Sequence, residues 1–240
     1  TDRIPLAHGN GGRLMRELIA RYCAAPLGSA GPDLALDAAP LPDADGQWVI
    51  TTDGFTVQPL EFPGGNIGSL AVHGTVNDLA VSGARPVSLT VSVFLEEGLE
   101  IALLERLMRG FAAAARECGV EVVAGDTKVV SRGEGSGLYL STTGVGVRPH
   151  ELTLGIGQIQ PGDRLLVSGP VGDHGAAVML AREEFGLRGE LRSDAASVFG
   201  LAQALIGLPG LRFMRDPTRG GLATAAHDIA RGTGLSVRLR

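Results

Sequence analysis

The chain has 240 residues, 44% of them apolar and 20% charged, with a formal net charge of −5. That is an ordinary globular composition, long enough for one large or two modest domains. It excludes a general nucleic-acid groove, because no dense basic run is present, and a helical membrane span, because no stretch reaches the ~18 apolar residues required.

The N-terminus shows no secretory signal pattern. Residues 14, 15, 18, 19 and 22 are apolar at helical spacing, and the glycine-rich HGNGG precedes them as either a phosphate cradle or a flexible lead. WVITTD reads as a strand ending at Asp53, and the apolar run 66–83 as a buried helix. A strand is expected over 87–95, then an amphipathic helix over 100–118 closed by Gly119. VEVVAGD and residues 137–147 read as further strands, giving an α/β pattern to about residue 150.

Two prolines and several glycines in 149–162 mark a boundary, dividing the chain into 1–150 and 151–240. Beyond it, RLLVSG, LRFMRD and LSVRLR read as strands. GDHGAAVMLAREEFG, SVFGLAQALIG and RGGLATAAHDIARG read as helices. The last strand pattern runs to Arg240, so 151–240 reads as a partial domain. Cys23 and Cys118 lack metal-ligand spacing and are expected to be reduced and buried, in keeping with a cytoplasmic setting.

Asp53 and Asp126 both close apolar strands, where open α/β sheets place ligands. Asp78 sits beside Asn77 within an apolar helix, so both side chains need partners. If convergent, the three carboxylates suit Mg²⁺, and Lys128 supplies a point charge for phosphate. Turn roles for Asp53 and Asp126, a local backbone bond for Asp78 and a solvated Lys128 are the competing readings. Asp216 and Thr218 in RDPTRGG precede the glycines that open a helix, which suits either an anion site or an ordinary N-cap. His174 in GDHG has no partner at metal spacing, and Glu96-Glu97 reads as a solvated turn.

LAHGNGGRLMRELI, FPGGNIG, NDLAVSGARP, FLEEGL, AGDTKVV, VSGPVGDHGAAVM and RDPTRGGL occur in one order across essentially the whole chain. In this the sequence resembles the HypE family of hydrogenase maturation factors. More broadly it resembles the superfamily of aminoimidazole ribonucleotide synthetase, selenophosphate synthetase and thiamine-phosphate kinase. The resemblance implies a mixed α/β, two-domain synthetase-like fold. An N-terminal ATP-binding domain with a mixed sheet forms a homodimer, followed by a C-terminal α/β domain. It implies ATP with Mg²⁺ held through Asp53, Asp78 and Asp126, and nucleotide contacts at Gly9, Gly11, Gly12, Asn66, Asn77, Lys128, Asp216 and Thr218. Lys128 is the implied catalytic residue.

The implied reaction is ATP-dependent dehydration of a C-terminal cysteine S-carboxamide to a thiocyanate. The carbamoyl group comes from HypF, and the cyano group passes to HypC–HypD for the iron of [NiFe]-hydrogenase. Members of that family end in a cysteine on a short tail, whereas this sequence ends at Arg240 and neither Cys23 nor Cys118 occupies such a tail. The expectation is therefore ATP binding and dimerisation without cyanide-forming turnover by residues 1–240 alone. A small-molecule kinase or synthetase of the same superfamily, or a non-catalytic ATP-binding fragment, are the competing readings.

Overall fold

The computed structural model describes residues 2–10, 12–30, 41, 44–182 and 189–238. A mixed sheet forms the frame. Its strands are β1 (Gln47–Phe55), β4 (Arg85–Glu96), β5 (Glu121–Val130) and β6 (Leu138–Arg148), in the order β1-β6-β4-β5. β4 and β5 run parallel, and the other pairs are antiparallel. Two short strands, β2 (Glu61–Phe62) and β3 (Gly65–Asn66), form a separate pair.

Helices α2 (Ile67–Val81) and α3 (Ile101–Cys118) cover one face of the sheet. α2 is apolar nearly all round because it is held between the sheet, α3 and a later helix. Asn66 and Ser69 start it with a reciprocal capping box. Gly68 lets α3 approach closely, since a Cβ there would run into the carbonyl oxygen of Leu107 and the amide nitrogen of Phe111. α3 buries Leu104, Leu107, Met108 and Phe111 and stops at Gly119, which takes a left-handed φ of 66°. The N-terminal helix α1 (Gly12–Leu18) buries Leu18 and continues into a wider turn over Ile19–Ala24, which packs against α3 and buries Cys23. Both cysteines are buried free thiols, as expected. Burial pushes the Cys23 thiol up to about 11, which keeps it protonated and unreactive.

The opposite face of the sheet is open. Along β1 the side chains alternate, so Val49, Thr51, Asp53 and Phe55 turn towards α2 while Trp48 and Ile50 turn away. Ile50 is 71% exposed. Phe94 on β4 is also exposed on this outer face.

Beyond Arg148 come α4 (Asp173–Ala181), α5 (Phe199–Ile206) and α6 (Gly221–Thr233). Over the described residues these match the expected helices and the three expected strands do not form; residues 183–186 of the first expected helix and 239–240 of the last expected strand lie outside the described residues. Residues 164–169, 211–216 and 235–238 pair with no extended neighbour among the described residues. A strand exists through its ladder, and alternation alone does not supply one. Leu166 consequently stands 89% exposed. Among the described residues no helix is long and apolar enough to cross a membrane.

Candidate active site

A cleft of about 280 Å³ lies where β1 and α2 meet the segment leading into α6. Asp53, Asp78, Arg215, Asp216, Pro217, Thr218 and Arg219 line it. Asp53 reaches it because odd-numbered β1 positions face α2. Asp78 reaches it from the last turns of α2. Both carboxylates are oriented by hydroxyls: Thr51 donates to Asp78 Oδ2 at 2.8 Å, and Thr75 donates to Asp53 Oδ2 at 3.5 Å. Thr75 is itself completely buried and bonded to Thr142 on β6, so the support beneath Asp53 extends into the core.

Asp216 comes from the far end of the chain, and its Oδ2 is buried without a hydrogen-bond partner. Burial, reinforced by the neighbouring charges of Asp78 and Asp53, pushes its carboxyl up to about 6. Burial and then Asp78 likewise raise Asp53, with Arg219 opposing. Three carboxyl groups crowded into one cleft, one with an orphaned oxygen, suit a divalent cation. Among the described residues no group of three or more acidic, His or Cys side chains is arranged to hold a metal ion by itself. Mg²⁺ does not require one, because it keeps waters and takes one or two carboxylates plus phosphate oxygens. Arg219 and the backbone at the start of α6 bring positive charge to the same cleft.

The residues expected from sequence separate into distinct places. Asp53, Asp78, Asp216 and Thr218 converge. Asp126 does not: the register runs Asp53–Thr142–Val91–Gly125 across the sheet, so Asp126 lies at the opposite edge, about 14 Å away by three strand spacings. It also faces the open side, alternating with buried Thr127. Asp126 and Lys128 lie within β5 rather than beyond its end, and pair with each other at 2.9 Å. Bonding to Lys128 holds the Asp126 carboxyl below its usual range. Asp53, Asp78 and Asp126 of one chain therefore do not share one site, and the third carboxylate lining the cleft is Asp216.

Asn66 is spent on the α2 cap and Asn77 on the backbone of residues 196–198. Gly9 belongs to a helical turn, Leu6–Asn10, packed beside β5, and Gly12 opens α1. Gly11 lies outside the described residues. Glu96 is not a solvated turn residue: it accepts from the amides of Gly133 at 2.6 Å and Gly137 at 2.8 Å, and so shapes the loop after β5. The sequence reading missed Arg215, Arg219, Thr51 and Thr75. The two arginines bracketing DPT were the available signal, whereas the threonines needed the strand register.

Sequence models of the AIR synthase related protein match in order, the N-terminal domain over residues 35–148 and the C-terminal domain over 160–240. The carbamoyl dehydratase HypE of Azotobacter vinelandii is 46% identical over 237 residues, covering 98% of this chain and 70% of that protein. A crystal structure of hydrogenase maturation protein HypE in complex with ATP superposes with a TM-score of 0.87 at 42% identity, over 95% of this chain and 68% of that one. The HypE of a HypE–HypF complex matches with a TM-score of 0.75 at 45% identity, over 78% and 62% of the two chains. With identity of this order along almost its whole length and the same mixed α/β fold, the chain belongs to the HypE family of hydrogenase maturation proteins.

Proposed function

We propose that this chain binds ATP with Mg²⁺ in the Asp53–Asp78–Asp216 cleft and serves the dehydration of a cysteine S-carboxamide to a thiocyanate. The buried, unpartnered oxygen of Asp216 beside two further carboxylates carries the reading. An unpaired polar atom is costly to bury, and a ligand that meets it removes that cost. The ATP complex of the related HypE supports the nucleotide, and the relatives' activity supports the reaction.

The chemistry needs the amide oxygen made into a leaving group. Phosphoryl transfer from ATP to that oxygen gives an imidoyl phosphate and ADP. Loss of phosphate together with the remaining proton on nitrogen leaves the thiocyanate, so one ATP yields ADP and phosphate. Asp53, Asp78 and Asp216 would hold the cation, which when bound offsets charge on the transferring phosphate. Arg219 and Thr218 meet the anion from the α6 side. The cysteine that carries the carboxamide is the C-terminal cysteine expected of the family.

Residues 1–150 form the nucleotide-binding and dimerising unit, and 151–240 the C-terminal unit that supplies Asp216. HypF is the carbamoyl donor, in keeping with the related HypE–HypF complex. HypC–HypD is the acceptor, and the setting is the cytoplasm, in keeping with two reduced cysteines. A homodimer accounts for the open sheet face with its exposed Trp48, Ile50 and Phe94. Lys128 keeps a role towards phosphate if it acts on the nucleotide of a second copy, because its own cleft lies across the sheet and behind it.

Calorimetric titration of ATP, with and without Mg²⁺, tests the reading. Mg²⁺-dependent binding that weakens at least tenfold in folded Asp78→Asn and Asp216→Asn supports it. Equal binding by parent and variants refutes it.

A further inference from the structure

The strap formed by residues 193–198 runs across α2 and joins the C-terminal unit to the N-terminal one. Its contacts with the N-terminal unit include three with residues 63, 64 and 77. The Ser193 amide donates to the Pro63 carbonyl at 2.8 Å. Gly64 lies flat beneath Ser193, and a Cβ there would come within 2.8 Å of the Ser193 nitrogen. Asn77 makes the third contact with both ends of its amide: Nδ2 donates to the Ala196 carbonyl at 2.9 Å, and Oδ1 accepts from the Val198 amide at 2.8 Å. Helix α5 starts at the next residue and packs along α2. The chain then returns to Asp216, which lines the cleft together with Asp78.

We infer that Asn77 is a positioning residue, a latch that fixes the C-terminal unit on α2 and thereby sets the gap between Asp78 and Asp216. The inference rests on the nucleotide-cleft reading. Asn77 sits next to Asp78 in sequence but spends its amide on the strap, so it acts on the cleft through the strap. An asparagine suits this task because it pairs with a peptide group as another peptide would, offering one donor and one acceptor on a short stem.

The test compares the parent with Asn77→Ala and Asn77→Asp, using amide hydrogen exchange and Mg²⁺–ATP calorimetry. In Asn77→Ala the amides of 193–198 should exchange at least tenfold faster while those of β4 and β6 do not change. ATP should bind about tenfold more weakly, the equivalent of one to two lost hydrogen bonds. Asn77→Asp keeps an acceptor for the Val198 amide but sets a carboxylate against the Ala196 carbonyl, so its strap should also exchange faster than the parent's. Gly64→Ala perturbs the strap from its other anchor and should reproduce the faster exchange. Unchanged strap exchange in Asn77→Ala overturns the latch, and parental ATP affinity in a variant whose strap exchanges faster overturns its hold on the cleft. If the parent binds no ATP, the nucleotide reading fails, and the exchange arm alone decides whether the strap is latched.

Discussion

Asp216 shows what the cleft costs the unliganded protein. Its carboxyl is raised from an ordinary 3.8 to about 6, so the folded state holds a proton more tightly than the unfolded chain does. The stability this contributes is fully present below about pH 4 and is lost as pH rises through 6. At pH 7.5 the ionised Asp216 faces Asp78 and Asp53 and destabilises the fold. Asp216→Asn should therefore stabilise the unliganded protein at pH 7.5, by about 1–2 kcal/mol once solvent screening is allowed for. The gain should vanish near pH 4, and thermal denaturation across this range checks it. Ligand binding runs the opposite way: a proton on Asp216 competes with a cation, so Mg²⁺–ATP affinity should fall as pH drops through 6. Titrations at pH 5 and 8 measure it. The trade is familiar at functional sites, where repulsion kept in the free protein is relieved by the ligand.

At the level of elements, the crossing of α2 over α3 decides where Asp78 stands. Gly68 makes that crossing possible, and its neighbours are backbone atoms that cannot swing aside. Gly68→Ala should cost about 1–3 kcal/mol in chemical denaturation, from overpacking alone. The elements themselves were largely legible: the amphipathic pattern and Gly119 predicted α3, alternation predicted β4, and apolar runs predicted β1 and β6. β5 was cut short at Asp126 because charge was taken as the end of a strand. With one face of the sheet open, Asp126 and Lys128 continue the strand while Thr127 keeps its buried place. The strand-like runs after residue 160 erred in the other direction, since the apolar runs were present and, among the described residues, a partner was not. Strand order could not be read at all, and it alone separates Asp126 from Asp53. Asp216 was legible as a polar residue near a helix start and, through the family resemblance, as a nucleotide contact; its meeting with Asp53 depends on contacts between segments more than 160 residues apart.

For the whole molecule, the separation of Lys128 from the acidic cleft makes subunit arrangement the deciding question. Burying Ile50 and Trp48 against a second open face would remove apolar surface from water, and Ile50→Glu would place a charge there. That variant should sediment as a monomer while keeping its secondary structure. If Lys128 serves the partner's nucleotide, Asp78→Asn and Lys128→Ala each break both sites of their own homodimers. A hybrid of the two behaves differently. The subunit with intact Asp78 receives an intact Lys128 from its partner, and the other site combines both lesions. Random reassortment of equal amounts makes half the dimers hybrid, so about a quarter of all sites should recover parental affinity. Calorimetry of the unfolded-and-refolded mixture, with hybrid formation confirmed by native mass spectrometry, reads that fraction directly. Recovery of tight sites places Lys128 in trans. A mixture with hybrids present and no tight sites leaves Lys128 as an open-face ion pair with Asp126, stabilising the strand or the dimer without touching phosphate.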